Sequence, residues 1–290
     1  LKLQTGQGPD TLKMKKILIP TDFSDAASNA ARFMAAWTHH APFSEIILLH
    51  SYAPLRKEIY LIDILESEEF DTAPQAHSAV SLQTFRDSLL SQIRPGTRIS
   101  MISTASCWEE AINGAVSRED VDLVAVGILP FGKNTRETIG KIVGEHTRAL
   151  RLPLIMIPSN VSFVPIDTMV LACDLNDTAA TLPIGRLTQL FKDNPARIFV
   201  VNVDADQKGA ADLILEETVL FQMLGIHQLE FHYIDSEDVV TEILSFARDK
   251  RARLIISIPK EHSFFDRIFH SSVSQHLAES GSVPVMLLYK

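Results

Sequence analysis

Short continuous apolar runs, separated by stretches of helical length, pattern the chain from residue 16 onward. The first five are Lys16–Pro20 (KILIP), Ile46–His50 (IILLH), Arg98–Ser103 (RISMIS), Leu123–Gly127 (LVAVG) and Leu154–Ile157 (LIMI). Between them, Asp25–Trp37 carries Ala and Phe at helical spacing. His77–Ile93 and Trp108–Ser117 do likewise, and Thr138–Leu150 fits a last helix. Continuous apolar strands alternating with helices predict a parallel sheet covered on both faces, joined by right-handed crossovers.

The pattern begins again at Thr168. The later runs are Met169–Ala172, Ile198–Val203, Gln228–Tyr233, Leu254–Ile258 and Val285–Leu288. The helical stretches are Asp177–Phe191, Ala211–Leu224, Val239–Lys250 and one around Ile268–Glu279. Asp22 and His50 match Asp174 and Asn202 at an offset of 152 residues. Ile112, Gly127 and Pro153 match Ile243, Ile258 and Pro284 at an offset of 131. Two constant offsets with one step between them mark an internal repeat. The step of 21 residues places an insertion in the first copy between its second and third strands. The candidate segment is Ala53–Ala76, acidic with an apolar centre, which reads as a surface excursion or extra helical turn, or as a lid or interface element. The link Ser159–Ile166 is too short for the two units to tumble freely, so they are expected to pack together. The predicted organisation is an N-terminal extension over 1–13, a first domain over 14–158 and a second over 166–290. The polar, aperiodic opening makes Met14 the expected native start.

Composition narrows the function classes. A length of 290 residues suits two domains. Hydrophobic residues at 46% supply ordinary cores, and charged residues at 22% argue against wholesale disorder. The net charge is -9 with no basic stretch, which speaks against a nucleic-acid or anionic-membrane surface. No run reaches the roughly 18 apolar residues of a membrane span, and no secretory signal precedes the first strand. Cys107 and Cys173 fall in different halves without CxxC spacing, which suits a reducing cytoplasm.

Candidate chemistry gathers where strands end. In a doubly wound sheet, ligands sit outside the carboxyl ends of strands where chain order reverses. The first strand ends in Pro20-Thr21-Asp22-Phe23-Ser24-Asp25 and the fourth at Gly127. An Asp there can accept hydrogen bonds from a ribose or base, and a Gly lets backbone approach a ligand. Asp22 equally suits a turn or helix cap, as do Ser24 and Asp25. Further on, Gly140-Lys141-Ile142-Val143-Gly144 enters a helix. Amides at a helix start bind phosphate, Gly140 removes an obstructing Cβ and Lys141 can add charge, though a solvated helix lysine reads the same way. Neither a Walker A loop nor a GxGxxG fingerprint is present.

KILIPTDFSDAASNAARF, IILLHSY, DLVAVG and a Gly followed by a helix and LPLIMIP together resemble the universal stress protein family, over residues 14–290 as two copies. The family's PTDFS start is matched at Pro20–Ser24. Its nucleotide pattern is Gly, two residues, Gly, nine residues, Gly, then Ser or Thr. Gly127 and Gly140 fill the first and third places, Pro130 stands at the second and Lys141 at the last; Gly132 is a displaced substitute for the second. The resemblance implies two tandem, doubly wound α/β domains. Each is expected to hold a five-stranded parallel sheet in the order 3-2-1-4-5, Rossmann-like and of the adenine-nucleotide alpha-hydrolase type. It implies ATP or AMP as ligand of the first domain. Pro20, Thr21 and Asp22 would lie near the adenosine, Ser51 after the second strand, and Val126, Gly127, Gly140, Lys141 and Ile142 around the sugar and phosphates. In the second copy Asp174 is retained, but Ile258, Glu261 and Ser271 stand at the Gly places, and only Ser272 matches. Ile258 would obstruct backbone approach and Glu261 would repel phosphate, so the second copy reads as degenerate. The resemblance also implies antiparallel pairing of Leu154–Ile157 with Val285–Leu288 within one chain, a pseudo-dimer that leaves a homodimer open.

Other constellations carry less. His39, His40, His262, His270 and His276 lack zinc-site spacing and read as satisfied or solvated. Ser271, Ser272 and Ser274 near His276 lack a GxSxG elbow. The leading expectation is therefore a non-enzymatic, cytoplasmic stress-response protein that binds a nucleotide in its first domain. The alternative is a nucleotide-free tandem scaffold acting through protein contacts. A nucleotide hydrolase or ATP pyrophosphatase would want a Gly-rich SGGxDS-like loop after the first strand, which PTDFSD is not.

Overall fold

The computed structural model describes residues 14–53, 73–128, 143, 147–173, 175, 177–202, 210–225, 229–234, 236, 238–258 and 283–290. Among them, the first half contributes β1 (Lys16–Pro20), α1 (Asp25–Trp37), β2 (Glu45–Ser51), α2 (Ala73–Leu89), β3 (Arg98–Thr104), α3 (Trp108–Glu119), β4 (Leu123–Ile128) and β5 (Leu154–Pro158). The second contributes β6 (Thr168–Cys173), α4 (Thr178–Thr181), α5 (Ile184–Asp193), β7 (Arg197–Asn202), α6 (Ala210–Leu224), β8 (Leu229–Tyr233), α7 (Val239–Asp249), β9 (Leu254–Ser257) and β10 (Val285–Leu287). The ten strands form one sheet in the order β3-β2-β1-β4-β5-β10-β9-β6-β7-β8, so the order 3-2-1-4-5 occurs in each half. Neighbours within a half run parallel. The halves join through antiparallel β5 and β10, paired at Val285–Met156, Met286–Ile155 and Leu287–Leu154.

Register repeats with the topology. Ile17 lies between Ile46 and Leu123, as Met169, 152 residues on, lies between Ile198 and Leu254. Leu123 and Leu254 are 131 residues apart. Ile99 and Leu229, the partners of Ile46 and Ile198, are 130 apart, so the surplus of the first half falls between β2 and β3. Residues 54–72 of the candidate insertion lie outside the described residues, and α2 already starts at Ala73, ahead of the expected His77.

Alternate residues of each inner strand enter opposite cores. Ile17, Ile19, Ile46 and Leu48 belong to one core, which also holds residues of α1, α2, α5 and α6. Leu18, Ile47 and Leu49 belong to the core on the other face, which also holds residues of α3 and α7. Burial on both faces is why these strands read as unbroken apolar runs. The terminal strands β3 and β8 are less covered, and their sequences alternate or mix polar residues accordingly.

One helix departs from its expected form. Asp177–Phe191 is two helices, because Pro183 has no N–H to donate and holds Leu182 extended at φ −90, ψ 141. Of the expected helix Thr138–Leu150, residues 143 and 147–149 are helical, and the expected helix around Ile268–Glu279 lies outside the described residues.

The halves are also bound by side chains. Trp37, fully buried at the end of α1, donates its Nε1–H to Asn194 Oδ1 (2.8 Å) beyond α5. Asn29 of α1 donates both amide hydrogens, one to Pro158 O at the end of β5 (2.9 Å) and one to Val161 O of the link (2.8 Å). Phe163 of the link meets Phe33 edge-on at 5.2 Å and stacks on Trp37 at 6.3 Å. Trp37→Phe keeps most of the packing but leaves Asn194 Oδ1 without its indole donor. It is expected to cost about 1–3 kcal/mol, measured as a lower denaturation midpoint at unchanged m.

The start of β2 carries a buried carboxylate. Glu45 is bound in fork fashion by its β3 register partner Arg98, at 3.1 Å (Nε) and 2.7 Å (Nη2). Burial alone would raise the Glu45 pKa, but the hydrogen bonds and charge of Arg98, with Lys16 nearby, hold it below the ordinary carboxylate value. A carboxyl depressed by folding stabilises the native state above its unfolded pKa and loses that contribution as pH falls through the folded one. The stability gap between wild type and Glu45→Gln is therefore expected to be constant near neutrality and to shrink between about pH 5 and pH 3, as read by denaturant titrations at each pH.

Candidate functional site

The carboxyl ends of β1 and β4 lie side by side where chain order reverses, since β1 has β2 on one flank and β4 on the other. The sequence Pro20–Ser24 builds the turn there through its own side chains. Thr21 is fully buried and extends the β1 ladder by donating its N–H to Leu49 O (2.8 Å). Its Oγ1 accepts the Phe23 N–H at 3.0 Å. Asp22 Oδ1 accepts the Ser24 N–H at 3.0 Å. Ser24 is the N-cap of α1, and its Oγ accepts the Ala27 N–H at 3.3 Å. Three short polar side chains thus satisfy three amides that no ladder reaches. Phe23 sits between them in the left-handed region at φ 61, an unusual place for a bulky side chain.

Asp22 is exposed, and among the described residues its carboxylate accepts only the Ser24 N–H. It can take hydrogen bonds from a ligand's hydroxyls or amine. Ser51, at the end of β2, is buried and otherwise engaged: its Oγ donates to Ser106 O (2.6 Å) and accepts the Ala53 N–H (3.2 Å). It ties the loop after β2 to the loop before α3. Val126 is buried within β4. The structure thus gathers Pro20, Thr21, Asp22, Val126 and Gly127 at one end of two adjacent strands, with Ser51 on the next. Gly140, Lys141 and Ile142, with Pro130 and Gly132, lie outside the described residues.

Gly127 has a use that the strand pattern did not suggest. A Cβ built on it would stand 2.0 Å from Ala26 O and 2.2 Å from Ala26 C. The missing side chain therefore lets the first turn of α1 lie directly on β4. Close approach of backbone is the reason for this glycine, but the backbone is the protein's own helix.

His50, read from sequence only as a strand end, belongs to this site. Its Nδ1 lies 2.8 Å from Thr21 O, and because a carbonyl only accepts, Nδ1 carries the hydrogen. Its ring lies 4.5 Å from Phe23 and 6.1 Å from Trp108. The sequence signal was its offset match to Asn202; the partner, a main-chain carbonyl 29 residues earlier, leaves no pattern.

The second half differs at the equivalent place. Cys173 stands at the register position of Thr21, and burial pushes its thiol up to about 12. Asn202 accepts the Leu175 N–H through Oδ1 at 3.4 Å. Ile258 follows β9 where Gly127 lies in β4. The amides of Asp177 and Thr178 donate to the two oxygens of Glu216 on α6, at 3.2 and 2.9 Å. An internal carboxylate thus occupies the amides at the start of α4. Asp174, Glu261, Ser271 and Ser272 lie outside the described residues.

Of the histidines weighed as ligands, His39 Nε2 lies 3.2 Å from Gln92 O and His40 packs on Phe163. His262, His270 and His276 lie outside the described residues, as does Ser274. Among the described residues no group of three or more His, Cys, Asp or Glu could hold a metal. No helix there is long and apolar enough to cross a membrane.

Residues 13–149 match the universal stress protein family. The fold is similar to that of a universal stress protein from Archaeoglobus fulgidus DSM 4304, at 15% identity over 96% of this chain and 97% of that one, with a TM-score of 0.70. It is also similar to a functionally unknown protein from Pseudomonas aeruginosa PAO1, at 13% identity over 96% and 94% of the chains, with a TM-score of 0.54. The cytoplasmic domain of a prokaryotic cation chloride cotransporter shares it at 11% identity over 95% of each chain, with a TM-score of 0.52. At these identities the likeness is one of fold. No curated protein matches the sequence.

Gly127→Ala tests the packing reading. The new methyl group meets main chain that cannot swing aside, so α1 must lift from β4. The variant is expected to lose about 1–3 kcal/mol, measured by denaturant unfolding. Wild-type stability would show that α1 does not need the glycine.

Proposed function

We propose that this chain, which belongs to the universal stress protein family through residues 13–149, acts in the stress response by holding an adenine nucleotide, ATP or AMP, without turning it over. The nucleotide would sit at the carboxyl ends of β1 and β4, in a first domain spanning 14–158. The observation that carries this reading is the Thr21–Ser24 turn. It sits at the point where strand order reverses, and it leaves the exposed Asp22 carboxylate with a single internal hydrogen bond among the described residues. In the proposal, Asp22 accepts hydrogen bonds from the ribose or base, with Thr21 and Pro20 forming the floor beneath. Val126 and Gly127 flank it. The phosphates fall to Gly140, Lys141 and Ile142, where Lys141 supplies a charge in place of the family's hydroxyl. The second domain, 166–290, binds none, because Glu216 already satisfies the amides beside its turn. The cysteines suit a reducing cytoplasm.

A nucleotide-free scaffold is the second reading, and Gly127 favours it. The glycine is required by α1 whether or not a ligand is present. On this reading the two domains matter for the surface of their common sheet, to which a protein partner or a second copy would bind.

Calorimetric titration with ATP and with AMP separates the two. Wild type and Asp174→Ala are expected to bind alike, and Asp22→Ala at least about tenfold more weakly, the loss of one hydrogen bond to a charged group. Absence of heat with millimolar nucleotide would remove the nucleotide reading and leave the scaffold.

A further inference from the structure

We infer that His50 is a positioning residue: its Nδ1–H holds the Thr21 carbonyl and thereby fixes the turn that presents Asp22. The importance of this to ligand binding rests on the nucleotide reading above, whereas the holding itself does not.

The end of β1 is gripped twice by β2. Leu49 O accepts the Thr21 N–H at 2.8 Å, and the next residue, His50, reaches back to the Thr21 carbonyl at 2.8 Å. Both main-chain groups of Thr21 are fixed, one by backbone and one by a side chain. The two residues that follow are Asp22 and Phe23. Phe23 has φ 61, which a bulky side chain adopts only when its surroundings impose it. Its surroundings are His50 at 4.5 Å and, edge-on, Phe85 of α2 at 6.1 Å. Trp108 at the start of α3 lies against the other part of the imidazole. The imidazole therefore acts in two ways, as a donor to Thr21 and as a wall for Phe23.

The second half places a different side chain at the position of His50. At the position of His50 stands Asn202, whose Oδ1 accepts the N–H of Leu175 at 3.4 Å. Leu175, at the position of Phe23, is fully buried. In the first half, donation from His50 to the Thr21 carbonyl accompanies a left-handed Phe23 and an exposed Asp22.

Two variants of the full chain separate the two actions of the ring. His50→Asn keeps an N–H donor near the place of Nδ1 and removes the aromatic wall. His50→Phe keeps the wall and removes the donor. The first readout is amide hydrogen exchange at Phe23 and Ser24, whose N–H groups bond to Thr21 Oγ1 and Asp22 Oδ1, with β6 and β7 amides as the internal reference for global stability. Exchange in His50→Phe is expected to be about tenfold faster than in wild type, with His50→Asn close to wild type. Wild-type exchange in His50→Phe, or acceleration in His50→Asn equal to that in His50→Phe, would overturn the assignment. The second readout is ATP affinity, expected to fall about tenfold in His50→Phe and to be kept in His50→Asn. If wild type gives no ATP heat, the nucleotide reading fails while the exchange comparison still decides the role of His50.

Discussion

Strands β5 and β10 meet antiparallel in the middle of the sheet, and each would otherwise be an edge. An exposed edge of the sequence LIMIP or VML offers unpaired N–H and C=O groups on a flat apolar strand, which is a template for aggregation. Pairing Met156 with Val285 and Leu154 with Leu287 removes both edges at once. The ends of the sheet are then β3 and β8, the strands whose residues tolerate partial exposure. The same join makes each face of the sheet a single core. Ile155, Ile157, Met286 and Leu288 belong to the cluster that also contains Trp37 and Phe191, one from each half. The indole bond to Asn194 and the grip of Asn29 on the link act within that shared core, so they hold a geometry that the strands already impose.

Two halves with one topology treat the first β-to-α turn differently, and the cause is local. In the first half Gly127 lets α1 descend onto β4, and α1 runs unbroken for 13 residues from its Ser24 cap. In the second, Ile258 stands at that place and its half-buried side chain packs into the core. The helical segment above it is broken at Leu182–Pro183 into α4 and α5. The first turn of α4 has no side-chain N-cap of its own, and Glu216 supplies the missing acceptor from α6. Asymmetry between the halves at this turn is therefore a matter of packing.

This division explains what could be read from the sequence. All ten strands were legible because burial on two faces leaves continuous apolar runs, and the repeat was legible because register preserves spacing. The step between offsets also located the surplus between β2 and β3. The break at Pro183 was missed because apolar residues on both sides keep helical spacing across it; the proline itself was the available signal. Gly127 was legible as a position where backbone comes close, but a sequence does not say whose backbone. Glu216 and the Trp37–Asn194 bond were not legible at all, and His50 left only its offset match to Asn202. Their partners are a carbonyl, two amides and a side chain 157 residues away, none of which constrains neighbouring residue types.

A glycine demanded by the fold persists in any copy whose α1 lies flush on β4, so its presence says little about nucleotide. The three solved structures share the scaffold at 11–15% identity, among them a transporter's cytoplasmic domain, and a scaffold so widely used does not specify a ligand. What can discriminate is the part of the first half that the fold does not need. An exposed carboxylate contributes nothing to the core, and Asp22 gives only one of its oxygens to the turn. An asparagine or serine could supply that bond equally well. The charge of Asp22 in a chain already at net -9 is thus the feature of the turn that packing leaves unexplained, and it is the one through which a ligand's donors would act.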